Sequence, residues 1–215
     1  PCVGGKVSLY NETSDGPIKP TPVIGVIGLI DKKPLKIQKI NSGDSLIMIG
    51  DTKDELGGSE YSEYIHKFIG GKCPTIDFIE SKKNMNCVLD IIENELIKSA
   101  HDCSKGGLTI AISELCMINQ IGCNVSLEKI PGEKLDSDKI LFSESHSRYL
   151  VTIENKNLQK LEETLKKYNV SYSLIGEFTG DSICFSSDSK PIIDLSVDKA
   201  HKTWFNSLKE MVLHA

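Results

Sequence analysis

The stretch HDCSKGGLTIAISE, residues 101–114, places a histidine, an aspartate and two glycines directly before a predicted helix. The apolar residues after the glycines recur at helical spacing: Leu108, Ala111 and Ile112, followed just beyond the stretch by Leu115 and Cys116. Asp102 and Ser104 are residue types that favour helix N-caps, so we expect them to cap this helix. Glycine loses more conformational freedom on folding than alanine, so Gly106 and Gly107 need a reason to stand at a helix entry.

Three further stretches carry glycine pairs or small polar residues beside charged ones: GGKVSLYNE (4–12), ELGGSEY (55–61) and LFSESHSRYL (141–150). Glycine pairs let backbone N–H groups approach a ligand, and helix N-termini carry partial positive charge, so together they suit phosphate groups. Acidic residues beside such loops can hold Mg2+. Each stretch alone is also compatible with an ordinary turn, and neither GxxxxGK[ST] nor GxGxxG occurs. These motifs therefore lead only to a globular protein with candidate phosphate-binding loops.

Composition limits the class of protein. The chain has 215 residues, of which 39% are hydrophobic and 26% charged, with a formal net charge of -5. This length suits one large domain, or one domain with a smaller piece attached. No Lys/Arg cluster suggests a nucleic-acid surface. The longest apolar run, PVIGVIGLI, is far shorter than the roughly 18 residues that a membrane span needs.

The cysteines indicate a cytoplasmic protein. There are seven, an odd number, and none forms a CxxC pair or a cluster with zinc spacing. We expect reduced thiols, several of them buried. The N-terminal residues show no secretory signal, which agrees with a cytoplasmic location. Cys103 lies inside the glycine loop, but the sequence offers no suitably placed partner to make it a nucleophile.

Two strand-like segments come first, at 5–10 and 21–30, with a turn-rich stretch between them. Two strands do not form a stable unit alone, so they either pad the larger domain or remain from a domain whose other strands are absent. Further strands are predicted at 45–50, 122–127, 148–154 and around 172–178, 182–186 and 192–195. Helices are predicted within 51–71 and at 78–100, after Gly107, along Leu158–Tyr168 and at about 198–213. The mixture indicates an α+β fold, or α/β layers, with helices on a sheet.

The order of the motifs is more specific than any one of them. Along the chain, GGKVSLYNET, PTPVIGVIGLI, LGGSEY, HDCSKGGLTIAISE and LFSESHSRYLVTI resemble the second half of phosphoribosylformylglycinamidine synthase, the PurL family. That family pattern runs GGNVSLYNE, PTPVIGVVG, LGGSEY, HDvSdGGLavalaE and LFSESxSR at similar spacings. The family has two repeats, each with an N-terminal and a C-terminal domain. The resemblance implies that residues 1–41 are the remnant of a PurM-like N-terminal domain and 42–215 a PurM-like C-terminal domain with a mixed sheet and helices.

The resemblance also implies an activity. The family is an ATP- and Mg2+-dependent ligase of purine biosynthesis, which converts formylglycinamide ribonucleotide and glutamine-derived ammonia into formylglycinamidine ribonucleotide. Two alternatives stay open: a non-catalytic nucleotide-binding or scaffold module, and a related ATP-using enzyme such as aminoimidazole ribonucleotide synthetase or selenophosphate synthetase. The first repeat, with the family's catalytic histidines, is absent from these residues, so we expect no catalytic residue here. Expected partners are the missing half or another copy of the chain, and a glutaminase subunit; no nucleic acid or membrane is expected.

Individual positions carry over from the GNVS part of the family pattern. It implies that Gly5 contacts the nucleotide and Ser8 the substrate. Lys6 stands where the family has a metal-binding asparagine, and a lysine cannot act as a neutral oxygen ligand. Its ammonium contacts phosphate instead, or the metal contact is lost.

The glycine loop resembles a nucleotide site related to the catalytic one by pseudo-symmetry, with a structural role. This implies nucleotide contacts for Asp102, Ser104, Gly106 and Gly107, while Lys105 stands where the family usually has aspartate. We expect the loop to share a cleft with the FSESHSR segment. On this interpretation, Gly106→Val weakens nucleotide binding and leaves most of the fold intact.

Overall fold

A computed structural model describes residues 2–31, 34–37 and 39–213. The chain divides into two compact units, Pro1–Pro34 and Leu35–Ala215. No helix in these described ranges is long and apolar enough to cross a membrane.

The first unit contains one short hairpin. Strand β1 (Glu12–Thr13) pairs antiparallel with β2 (Gly16–Pro17). The strands predicted at 5–10 and 21–30 are wrong for this structure, since neither segment forms a strand. A strand needs a partner for its backbone N–H and C=O groups, and these segments pair with none of the described residues. Their apolar side chains stay exposed.

The second unit is built on a seven-stranded sheet. Its strands are β3 (Ser45–Ile49), β4 (Ser99–Asp102), β5 (Cys123–Ser126), β6 (Tyr149–Ile153), β7 (Tyr172–Phe178), β8 (Ser182–Ser187) and β9 (Lys190–Ser196). Their spatial order is β4-β6-β3-β7-β5-β8-β9. The β5–β8 pair is parallel and the other pairs are antiparallel, which confirms the predicted mixed sheet.

Six helices accompany the sheets: α1 (Glu60–Tyr64), α2 (Phe78–Glu93), α3 (Gly107–Asn119), α4 (Ser137–Phe142), α5 (Leu158–Tyr168) and α6 (Val197–Leu213), counted over the described residues. All were predicted except α4. The helix predicted at 78–100 is too long, because α2 ends at Glu93 and β4 follows it. These elements confirm the α+β class.

Helices cover both faces of the sheet. Along β3, Leu46 and Met48 belong to one apolar cluster and Ile47 and Ile49 to another, so successive side chains point to opposite faces. The first cluster includes the apolar sides of α3, α4 and α6, and the second those of α2 and α5. No side chain of the four is more than 1% exposed. This double coverage explains why β3 is apolar on both faces.

Candidate functional site

A cleft of about 430 Å3 lies where the glycine loop meets the FSESHSR segment. It is lined by residues 73–74, 102–105, 144 and 146–149. The two walls are joined by a backbone hydrogen bond of 3.0 Å from the N–H of Cys103 to the carbonyl of Arg148. The structure therefore brings Asp102 and Ser104 together with the second predicted segment in one concave site.

The entry to α3 differs from the expected one. Its N-cap is Gly106, which makes no side-chain capping bond, so the expectation that Asp102 and Ser104 cap α3 is wrong. Asp102 ends β4, and Ser104 uses its backbone carbonyl to accept from the N–H of Gly107 at 3.0 Å. Asp102 and Ser104 line the cleft instead, whereas Gly106 and Gly107 are buried and are not among its lining residues.

The two glycines are explained by backbone conformation and packing. Gly106 has φ 74° and Gly107 has φ 67°, in the left-handed region that glycine adopts without a steric penalty. A Cβ on Gly106 would lie 2.3 Å from Cγ1 of Ile110. A Cβ on Gly107 would lie 2.6 Å from the carbonyl oxygen of Ser143. The glycines thus let α3 begin directly against the backbone of the FSESHSR wall.

His101 has a structural position. Its Nε2 lies 3.2 Å from a carboxylate oxygen of Glu114 on α3, and its Nδ1 lies 2.6 Å from the carbonyl oxygen of Asp102. The ring is largely buried and is not among the residues that line the cleft. It links β4 to α3.

The Glu144 carboxylate holds two helix entries at once. Its Oε1 accepts from the backbone N–H of Gly106 at 2.8 Å and from that of Glu60, the first residue of α1, at 2.9 Å. A negative charge is favourable at both places, because N–H groups at a helix start have no partner within the helix. Lys105 lies beside this arrangement, with Nζ 2.8 Å from Oε1 of Glu60. The sequence placed Glu144 in a candidate motif but gave no sign of these partners.

Arg148 anchors the wall that carries Glu144. Its side chain is 1% exposed. Its guanidinium donates to the carbonyl oxygens of Ser145 and Ser143 and to the hydroxyl of Thr52. Burial lowers the pKa of Arg148, and nearby negative groups oppose that shift. Because the two carbonyls flank Glu144 in the chain, Arg148 fixes the backbone on both sides of it.

A second polar segment, residues 53–55, is hydrogen-bonded to the same wall. The backbone N–H groups of Lys53 and Glu55 donate to the hydroxyls of Ser145 and Ser143, at 3.1 and 3.3 Å. The Glu55 side chain is held by the N–H of Thr75 at 2.8 Å. Burial by itself would raise the pKa of Glu55, but hydrogen bonds, first that from the Thr75 N–H, outweigh it and leave the pKa below its usual value.

The buried thiol in the lining of the cleft, that of Cys103, is not activated. Cys103 is 8% exposed, and burial raises its pKa to about 11, so it is a neutral thiol at physiological pH. Cys73 is exposed at the cleft. In the part of the chain that the structure describes, no group of three His, Cys, Asp or Glu side chains is arranged to hold a metal ion.

The predicted contact residues of the first unit form no enclosed site with the other described residues of that unit. Gly5, Lys6 and Ser8 are exposed, and a Cβ on Gly5 would meet nothing within 4 Å. Every described residue of the first unit except Gly16 is exposed. This unit therefore encloses no site of its own among its described residues.

Comparison with known proteins gives the same relatives along nearly the whole chain. Residues 41–186 match the family described as AIR synthase related protein, C-terminal domain. The phosphoribosylformylglycinamidine synthase subunit PurL of Alkaliphilus metalliredigens is 34% identical over 211 residues, which cover 97% of this chain and 28% of that protein. The PurL subunit of Methanocaldococcus jannaschii is 36% identical over 220 residues, covering 99% of this chain and 30% of that protein.

Solved structures agree on the fold. The structure of Thermotoga maritima PurL complexed with FGAR matches 75% of this chain and 28% of its own, with a TM-score of 0.67 and 19% identity. The complex of the same protein with ATP gives a TM-score of 0.62 and 19% identity, over 76% of this chain and 26% of its own. The chain thus spans less than a third of the length of these relatives.

Proposed function

Because the chain belongs to the family of AIR synthase related proteins, C-terminal domain, we propose that it forms one part of a phosphoribosylformylglycinamidine synthase. The observation that carries this proposal is the alignment with PurL subunits over 97% and 99% of the chain. The PurL names favour this synthase over aminoimidazole ribonucleotide synthetase. Residues 1–41 would then be the remnant of an N-terminal domain and 42–215 the C-terminal domain, which the division of the chain after Pro34 supports.

The proposed reaction of the whole enzyme is the ATP-dependent amination of an amide. ATP transfers a phosphoryl group to the amide oxygen of formylglycinamide ribonucleotide, and ammonia then displaces phosphate to give the amidine. Such a transfer depends mainly on positioning and on stabilising the charge of the phosphoryl group. The remaining part of the synthase, and a glutaminase that supplies ammonia, would be the partners of this chain in the cytoplasm.

Within that enzyme, this chain contributes a nucleotide-binding cleft and no catalytic side chain. Asp102, Ser104, Gly106 and Gly107 would contact the nucleotide, as the PurL pattern implies. Asp102 and Ser104, which are exposed and line the cleft, support this assignment.

Contacts of Gly5 with nucleotide and of Ser8 with substrate rest on the PurL pattern alone. They are proposed only for the assembled synthase, of which this chain would be one part. Mg2+ enters the proposal only as the counter-ion of the nucleotide phosphates. The described residues have no cluster that could hold a metal unaided, and Lys6 replaces the asparagine ligand of the pattern.

Alkylation of the exposed Cys73 thiol tests whether the cleft binds a nucleotide. Alkylation of the 215-residue chain by iodoacetamide, followed by mass spectrometry, measures the reaction rate of each cysteine separately. We expect Mg-ADP to slow alkylation of Cys73, because a bound nucleotide would cover the cleft. Cys184 on β8 does not line the cleft and serves as the control within the same molecule, with an unchanged rate. Equal rates at Cys73 with and without saturating Mg-ADP would contradict the proposal.

A further inference from the structure

The backbone N–H of Gly106 in the glycine loop donates a hydrogen bond to the carboxylate of Glu144. Oε1 of Glu144 accepts from Gly106 at 2.8 Å and from Glu60 at 2.9 Å. The hydrogen bonds come from the entries of two different helices and converge on one oxygen atom. A carboxylate oxygen in such a position makes the contacts that a phosphate oxygen would make.

The charges around this oxygen strengthen the competition. The pKa of Lys105 is raised by its hydrogen bond to Glu60, and the negative charges of Glu60, Glu144 and Glu63 add to the shift. The ammonium of Lys105 therefore attracts Glu144 as well as Glu60 and helps to keep the Glu144 carboxylate at the Gly106 N–H. An incoming phosphate has to displace that carboxylate, and it also meets the acidic residue Asp102 in the lining.

The backbone of the wall restricts how Glu144 can leave. Arg148 holds the carbonyl oxygens of the residues on either side of it, Ser143 and Ser145, and is itself buried. The N–H of Glu144 donates to the carbonyl of Glu55 at 3.1 Å. With its backbone held at these three points, the side chain can release the two N–H groups by rotating about its own χ angles.

We infer that the Glu144 carboxylate, which lines the cleft and accepts from the N–H of the buried Gly106, is an internal competitor of phosphate and is displaced when a nucleotide binds. The inference rests on the proposed nucleotide cleft and adds its regulation: the affinity for phosphate is set by the cost of removing Glu144. The same displacement frees the N–H of Glu60, so the entries of α1 and α3 respond together.

Calorimetric titration of the full 215-residue chain tests this with two probes, Mg-ADP and inorganic pyrophosphate. Glu144→Gln keeps the shape of the side chain and removes its charge. We expect it to bind either probe about fivefold more tightly than the wild type, the equivalent of about 1 kcal/mol. Glu163→Gln is the matched control, since it removes the same charge from an exposed position on α5 that does not line the cleft. It should change the affinity by less than about twofold.

Amide NMR spectra supply a second measurement. The resonances of Glu60 and Gly106 should shift together when pyrophosphate is added to the wild type, since both amides lose the same acceptor. The spectra also report whether each variant is folded.

The outcomes separate the inference from the proposed function. If the wild type binds Mg-ADP and Glu144→Gln binds it equally or more weakly, Glu144 does not compete with phosphate, while the proposed nucleotide cleft is still supported. If only the Glu144→Gln variant binds Mg-ADP or pyrophosphate, the result supports Glu144 as a competitor of phosphate. If neither protein binds either probe and the Cys73 thiol is unprotected, the nucleotide cleft fails and the inference with it.

Discussion

The structure explains why positions 106 and 107 of the 101–114 stretch are glycines, which the sequence alone did not explain. Each has a positive φ, and each leaves room for a neighbour that a side chain would strike. We therefore expect Gly106→Val to destabilise the fold, against the expectation from the sequence that it leaves most of the fold intact. Ile110 fills the space that a Cβ would take, so that variant would lose stability before it reports on a ligand.

A pair of alanine variants separates conformational strain from packing. Gly107 and Gly180 have nearly the same φ, 67° and 66°, but a Cβ on Gly180 would meet nothing within 4 Å. We expect Gly180→Ala to cost about 1 kcal/mol from the left-handed conformation alone. Gly107→Ala should cost about 3 kcal/mol, since its Cβ also strikes the backbone at Ser143. Urea denaturation measures both, and equal losses would show that the close approach of α3 to the wall is not needed.

The residues that shape the cleft were only partly predictable. Asp102 and Ser104 were identified because their short motif is visible in the sequence. Glu144 and Arg148 lay in a quoted motif without a role, because their partners come from elsewhere: Gly106 is 38 residues from Glu144, and Thr52 is 96 from Arg148. Hydrogen bonds across such separations leave no local pattern to read.

At the scale of elements, periodicity predicted the long helices and most strands. It failed where tertiary pairing decides the structure. The predicted helix 78–100 includes Ser99 and Ala100, yet these two residues pair with β6 as part of an edge strand. Helix α4 has six residues, too few for a periodic signal. The segments 5–10 and 21–30 have the composition of strands but lack partners within the described chain.

The carboxylate of Glu128 holds the turn between β8 and β9. Glu128 accepts from the hydroxyl of Ser126 and from the N–H of Asp188, both at 2.6 Å. These bonds, first that from Ser126, lower the pKa of Glu128 from the usual 4.5 to about 2. A lowered pKa in the folded state means that the ionised form stabilises the fold. This contribution is complete above pH 4.5 and is lost as the pH falls towards 2.

Melting temperatures across this pH range test the assignment. Glu128→Gln should melt below the wild type at neutral pH, and the difference should shrink steadily as the pH falls from 4.5 towards 2. Lys190 on β9 lies in the same hairpin, and its replacement by Gln should give a difference that is flat over the same range. A Glu128→Gln difference that is independent of pH would contradict the role given to the carboxylate.

For the whole molecule, the exposed apolar surface agrees with a chain that works as part of something larger. Ile27 and Leu29 of the first unit are fully exposed, and Trp204, Phe205 and Leu208 of α6 are more than half exposed. Apolar side chains so placed favour association with another protein surface. The relatives, of which this chain spans 28% and 30%, contain much further sequence that could cover them.

We propose that this chain is a non-catalytic, nucleotide-binding part of a phosphoribosylformylglycinamidine synthase. A chimera tests this proposal: the 211 aligned residues of the Alkaliphilus metalliredigens PurL subunit are replaced by this chain. The measurement is formation of formylglycinamidine ribonucleotide from formylglycinamide ribonucleotide, ATP and ammonia, with the isolated 215-residue chain assayed beside the chimera. We predict product from the chimera and none from the isolated chain. Turnover by the isolated chain, or a folded chimera that binds Mg-ADP yet forms no product, would contradict this proposal.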